Sequence, residues 1–312
     1  MIETWQQALP HGITLSCRAN GAQGRPVLMF LHGFPEAAFV WDELLEHFSR
    51  PENGGYRCVA PNLRGYERSS APSDVQAYRA KFLVQDIVAL IDAECGAQQP
   101  LAALVAHDWG GALAWSVANQ HPDRMRQLVV INAPHPGPFV RALQSDPAQQ
   151  AASAYMRFLI QPDAAQQLSA NGFAPLLGFL RGQDDTLAGS HSLADQPALW
   201  LTPALEERYR AVWQMGLEGP LNYYRASPLK PPTAQDRAID QIVLPPELLH
   251  IAVPTLLLWA QVDIALLPCL TEGLAQHIPQ LTRRDIAGAT HWVVHEQPAR
   301  VIAEISAFLQ AQ

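Results

Sequence analysis

Short apolar runs alternate with longer amphipathic stretches along this chain. The runs Ile13 to Arg18, Val27 to His32, Tyr56 to Pro61, Leu101 to His107, Leu128 to Ile131, Thr255 to Ala260 and Thr282 to Ile286 predict strands. Most are nearly continuous in apolar residues, which is the pattern of a parallel sheet buried on both faces. Helical periodicity lies between them, over Trp41 to Phe48, Lys81 to Ala93, Gly110 to Gln120, Leu270 to His277 and Pro298 to Leu309. This alternation predicts an α/β fold, with a mostly parallel sheet and helices on both faces.

The alternation stops between about Asn132 and Val253. Helical segments cut by Pro and Gly follow one another there: Ala151 to Leu159, Pro162 to Ala170, Pro175 to Leu180, Pro203 to Gly216 and Pro220 to Arg225. Asn132 to Pro138 marks the exit from the sheet, and Leu244 to Pro254 marks the return. The pattern predicts a helical cap inserted in a sheet domain. The expected division is core over 1–135, cap over 136–250 and core again over 251–312.

Composition bounds the function. The chain has 312 residues, 21 Lys+Arg against 29 Asp+Glu and a net charge of −8. That balance offers no electrostatic footprint for nucleic acid. Four cysteines without a CxxC pair argue against a disulfide framework or a zinc ribbon. The apolar runs fall short of the roughly 20 residues needed to cross a bilayer, and Met1 to Cys17 has no secretory pattern. The expectation is a soluble cytoplasmic protein with no nucleic-acid or membrane partner. Many of the 26 prolines sit at the joints of the cap and the breaks within it.

Only Asp108 and Trp109 separate the strand Ala103–His107 from the helix that opens at Gly110. So sharp a turn needs small neighbours, supplied by Ala106, Gly110 and Gly111. It exposes its apex residue at the carboxyl end of the sheet, as in the G-x-S-x-G nucleophile elbow. Here the apex is a carboxylate, Asp108, which could also be a simple N-cap. Asp263 follows the strand ending at Ala260, and His291 follows the last predicted strand. His295 is a near neighbour offset into the next turn. The order Asp108, Asp263, His291, each at a strand's carboxyl end, matches the nucleophile, acid and base order of α/β hydrolases.

The chain resembles the α/β-hydrolase superfamily, and within it the soluble epoxide hydrolases. The segments that carry the resemblance are His32-Gly-Phe-Pro35, Arg64 to Ser69, His107-Asp-Trp-Gly-Gly111 and Gly288-Ala-Thr-His-Trp292. Two cap segments add to it. Gly219-Pro-Leu-Asn-Tyr-Tyr-Arg225 looks like the cap motif G-P-L-N-W-Y-R, with Tyr223 for its tryptophan. Tyr155 stands seven residues before Pro162, as in the family's earlier cap segment. The resemblance implies that Tyr155 and Tyr224 point at the nucleophile and activate the epoxide oxygen. It assigns the oxyanion-hole N–H groups to Phe34 and Trp109, and substrate binding to His32, Pro35, His107 and Trp292. It implies a small-molecule epoxide as partner, no metal and no organic cofactor, and leaves a homodimer open.

Haloacetate and haloalkane dehalogenases also carry an elbow aspartate and are the alternative. The first group has arginine after the nucleophile, where this chain has Trp109. The second has Asn or Glu after His-Gly, where this chain has Phe34. A binding protein on the same fold is a third reading, which the full set Asp108, Asp263 and His291 opposes. No GxGxxG follows the first strand, and no phosphate loop or HExxH pair is present.

Overall fold

The computed structural model describes residues 1–183 and 198–311. Eight strands form one sheet: β1 (Glu3–Ala8), β2 (Thr14–Asn20), β3 (Val27–Leu31), β4 (Arg57–Pro61), β5 (Ala103–His107), β6 (Leu128–Ile131), β7 (Thr255–Ala260) and β8 (Leu281–Ile286). Their order is β1-β2-β4-β3-β5-β6-β7-β8. β1 pairs with β2 and β2 with β4 antiparallel, and the other pairings are parallel. Every residue of β3 to β7 is buried, which explains their nearly continuous apolar sequences.

Successive residues of β3 serve opposite faces, as a strand's period of two requires. Leu28 and Phe30 pack with α1 (Asp42–Phe48) and with Ile305 and Phe308 of the C-terminal helix Pro298–Gln310. Val27, Met29 and Leu31 pack with α2 (Ala80–Cys95) and α3 (Asp108–Gln120). The expected coverage of both faces is present.

Between β6 and β7 the chain runs through a helical insert over 136–226. It holds α4 (Pro136–Ser145), α5 (Pro147–Ala152), α6 (Tyr155–Leu159), α7 (Ala164–Leu168), α8 (Ala170–Leu180), α9 (Pro203–Trp213) and α10 (Glu218–Ala226). From α10 to β7 only two short 3-10 turns occur, Ala238–Gln241 and Pro246–Leu248. The insert is seated on the sheet domain by buried polar contacts. The Tyr223 hydroxyl donates to the Arg64 carbonyl (2.9 Å) and the Trp213 indole to the Pro35 carbonyl (2.7 Å). Arg64 is itself held by a two-pronged pair with Asp86 (2.6 and 2.8 Å).

Two expectations need correction. The stretch expected as a helix over Leu270 to His277 forms two 3-10 turns, Pro268–Thr271 and Leu274–Gln276, because Gly273 sits left-handed between them (φ 72°). The Pro-rich segment after β6 leaves the sheet as expected and leads into α4. Pro136 and Pro138 fall in the first turn of α4, where a missing N–H costs no hydrogen bond. The single helix expected over Ala151 to Leu159 is divided at Ser153, which places Tyr155 at the start of α6.

Two helices remain. α11 (Val293–Glu296) is a short helix that starts two residues after His291, and α12 (Pro298–Gln310) is the C-terminal helix. No helix among the described residues is long and apolar enough to cross a membrane.

Candidate active site

Asp108 stands at the tip of β5 and opens α3. Its φ is +50°, a region that a non-glycine residue enters only where the surroundings hold it. Close packing at its neighbours holds it. A Cβ on Gly110 would overlap the Leu31 and His32 carbonyls, and one on Gly33 would overlap the Asp108 carboxylate itself. The backbone of the β3 loop can therefore reach the nucleophile, and the Phe34 N–H donates to Asp108 Oδ1 at 2.7 Å. Trp109 lies in the first turn of α3, where N–H groups have no intrahelical partner.

His291 bridges the two aspartates. Its Nδ1 lies 2.7 Å from Asp263 Oδ2 and its Nε2 lies 3.6 Å from Asp108 Oδ2. The 2.7 Å contact fixes the ring so that Nε2 faces the nucleophile. Asp263 is buried, and its other contacts come from the Asn132 amide (2.7 Å) and from the backbone N–H groups of Ala265 and Leu266 (both 2.9 Å). Burial alone would raise the Asp263 carboxyl, but the His291 charge and these hydrogen bonds hold it below the usual carboxylate range. Burial alone would likewise discharge His291. The carboxylates of Asp263 and Asp108 more than offset that and keep its imidazolium well above the usual histidine range.

The two tyrosines come from the insert. Tyr155 opens α6 and Tyr224 lies in α10, with ring centroids 6.2 Å apart. Tyr224 also meets Phe34 edge-on (5.3 Å) and Trp109 edge-on (5.0 Å). Burial, then the Asp108 and Asp263 charges, push the Tyr155 phenol well up. Burial, then Tyr155 and Asp108, do the same to Tyr224. Both phenols are therefore protonated and able to donate.

Two cavities have Asp108, Tyr155 and Tyr224 in their walls. One, of about 590 Å³, lies along α3 and is lined mainly by apolar side chains including Trp109, Trp115, Phe139 and Met156. The other, of about 70 Å³, lies beside His291 and is walled by Phe34, Phe179, Trp200 and Trp292.

The structure does not bring every expected site residue to these cavities. Trp292 lines the smaller one, but His32, Pro35 and His107, expected to bind substrate, line neither. His32 is fully buried, with Nδ1 on the Gly33 carbonyl (2.9 Å) and Nε2 accepting from the Leu63 N–H (3.1 Å). Burial lowers it to about 4, so it is a neutral prop for the Gly33 turn. Pro35 offers its carbonyl to Trp213. His107 places Nε2 on the His291 carbonyl (2.9 Å) and Nδ1 on Glu36 (3.1 Å), behind the histidine loop.

Several supporting residues escape a reading of the sequence. Glu36 is a buried carboxylate that also accepts from the Tyr209 hydroxyl (2.9 Å) and lies 2.7 Å from His295 Nε2. Asn132 bridges β6 to the acid, since its Oδ1 accepts from the Ala260 N–H (2.9 Å) while its amide holds Asp263. Glu296 takes the Thr290 N–H and hydroxyl (both 2.7 Å) and closes the loop that carries His291. None of these has a local motif, although Glu36 directly follows the His32 to Pro35 segment. Among the described residues, no cluster of His, Cys, Asp or Glu is arranged to hold a metal ion.

The family described as alpha/beta hydrolase fold matches residues 26–298. The AB hydrolase superfamily protein YfhM of Bacillus subtilis is 31% identical over 97% of this chain and 96% of its own. Epoxide hydrolase 3 of Xenopus tropicalis is 33% identical over 96% of this chain and 75% of its own. A solved structure described among novel epoxide hydrolases of the alpha/beta hydrolases superfamily, from metagenomes of hot environments, superimposes with a TM-score of 0.85. It shares 35% identity, with all of both chains covered.

Proposed function

Because the chain belongs to the alpha/beta hydrolase fold family and is epoxide-hydrolase-like within it, we propose that it opens an epoxide to a vicinal diol through an ester on Asp108. The observation that carries this reading is the convergence of a carboxylate and two protonated phenols, Tyr155 and Tyr224, on one junction. A strained ether needs both at once: a nucleophile for its carbon and a proton donor for its oxygen.

Asp108 Oδ1 is occupied by the Phe34 N–H, so Oδ2 is the oxygen free to attack. It forms a bond to one ring carbon as the ring C–O bond breaks, and a phenol gives its proton to the departing oxygen. Ester formation removes the Asp108 charge. The imidazolium of His291 then loses one of the two carboxylates that hold its proton and gives that proton up, which by way of solvent restores the phenol; the neutral ring that results can take a proton from water. That water adds to the Asp108 carbonyl carbon. The oxyanion grows on Oδ1, already facing the Phe34 N–H, with Trp109 as the second donor. Collapse breaks the Cγ–Oδ2 bond, His291 gives its newly taken proton to Oδ2 as the diol leaves, and the oxygen of the water stays on Asp108. In this reading the triad belongs to the core over 1–135 and 251–312 and the phenols to the cap over 136–250, so neither part acts alone.

A single turnover in ¹⁸O-water tests the route. The expected result is label in the Asp108 carboxylate and an unlabelled first diol. Label in the diol alone would sink the ester. The dehalogenase alternative rests on the Asp108-Trp109 pair, and halide release from haloacetates or haloalkanes without any epoxide turnover would establish it.

A further inference from the structure

We propose that the preferred substrates are terminal epoxides carrying one bulky, uncharged apolar substituent, and that epoxides with a large group on each carbon are excluded. The proposal rests on the epoxide-opening reading above and concerns the same site. Among the described residues, Asp108, Tyr155 and Tyr224 alone line both cavities. The ring must therefore sit at the junction, with one carbon turned toward each chamber.

The chambers are unequal. The larger, at about 590 Å³, falls within the range of about 300–1,000 Å³ typical of whole ligand pockets. Apart from Asp108, its one Asp, Glu, Lys or Arg side chain is Arg79, which is exposed. Its walls are fixed: Trp115 is buried and its indole donates to the Ala133 carbonyl (3.2 Å), and Met156 and Leu266 are buried. It can take a ring system without stranding a charge.

The smaller chamber, at about 70 Å³, is less than half of the ~150 Å³ cavity that accepts benzene. Its aromatic walls brace one another. Phe179 contacts Phe34 (6.4 Å between centroids) and Trp292 (5.7 Å), and Trp292 contacts Trp200 (6.1 Å). His291, with Thr290 and Glu296, opens onto this chamber only. The water for ester hydrolysis must therefore be held there, and a large substituent would displace it. A methylene or methyl group leaves room, because a water needs only about 10–15 Å³ by the same measure.

The test is a kcat/KM panel on the intact protein with propylene oxide, styrene oxide and trans-stilbene oxide. Styrene oxide should exceed propylene oxide, and trans-stilbene oxide should fall at least about 10²-fold below styrene oxide, since even single methylenes are discriminated about 10–200-fold. Stilbene oxide within tenfold of styrene oxide would overturn the chamber assignment while leaving epoxide hydrolysis intact. No turnover of any of the three would overturn the parent reading as well. Phe179→Ala should raise stilbene oxide turnover relative to styrene oxide, and an unmoved ratio in the folded variant would refute Phe179 as the limiting wall.

Discussion

His291→Gln should split the reaction into a step that survives and a step that fails. The attacking carboxylate needs no base, and His291 Nε2 lies 3.6 Å from Asp108 Oδ2, outside hydrogen-bond distance. The Phe34 N–H still holds Asp108 Oδ1 at 2.7 Å, and both phenols are untouched. Ester formation should persist. Removing a positioned general base typically costs about 10²–10⁴-fold, or about 3–5 kcal/mol of barrier, and here it falls on ester hydrolysis alone. If the two steps are matched in the wild type, a loss of about 10³-fold leaves about 99.9% of the enzyme as ester at steady state. The variant should fold. Asp263 keeps the donors of Asn132, Ala265 and Leu266, so its buried charge is not orphaned. Loss of one bond to a charged group costs about 1.5–3 kcal/mol, readable as a shift in a urea titration. Intact-mass spectrometry after mixing with styrene oxide should show one adduct per chain, and peptide mapping should place it on Asp108. Multiple turnover within tenfold of wild type, or an adduct elsewhere, would refute the division of roles.

Three further outcomes follow from the same geometry. Tyr155→Phe and Tyr224→Phe should each slow ester formation by about 10²–10³-fold, the usual effect of losing one oxyanion donor, and stopped-flow fluorescence of the nearby Trp109 should report it. Gly33→Ala should abolish turnover more than it harms the fold, because the added Cβ overlaps the side chain of Asp108; kcat beside a melting curve separates the two. Acid should destabilise the protein through Glu36: burial alone would raise its carboxyl, but hydrogen bonds from His107 and His295 pull it well below the usual range. A lowered folded value means stabilisation that is full above the ordinary carboxylate range, near about 4.3, and lost as the pH falls through the folded value. Glu36→Gln should flatten that acid limb of the urea midpoint against pH, and an unchanged limb would remove Glu36 as its source.

The sheet was legible where burial on both faces leaves only apolar residues. β6 and β7 match their predicted limits for that reason. β1 was not legible, because Glu3–Ala8 is a largely exposed edge strand whose polar sequence carries no such constraint. It forms by pairing with β2, a partner that no local pattern announces. The error at Leu270 to His277 has the same origin. Its periodicity is helical, but a left-handed Gly273 interrupts it.

For the site, the sharp strand-to-helix turn by itself put Asp108 at an apex, because few residues can make such a turn and glycines must flank it. Chain order likewise set Asp263 and His291 at strand ends. The supporting polar groups are different. Asn132 and Asp263 are 131 residues apart, and Glu36 and His295 are 259 apart, so their pairing exists only once the sheet is assembled. The same holds for His32 and His107, whose motif positions suggested substrate contact but whose rings are turned into the protein. Sequence determined which groups could do chemistry, because local backbone geometry and burial restrict residue type position by position. Tertiary structure decided how they are charged, what they touch and how much space lies on each side of Asp108, because electrostatics and volume are sums over neighbours that the chain order does not record.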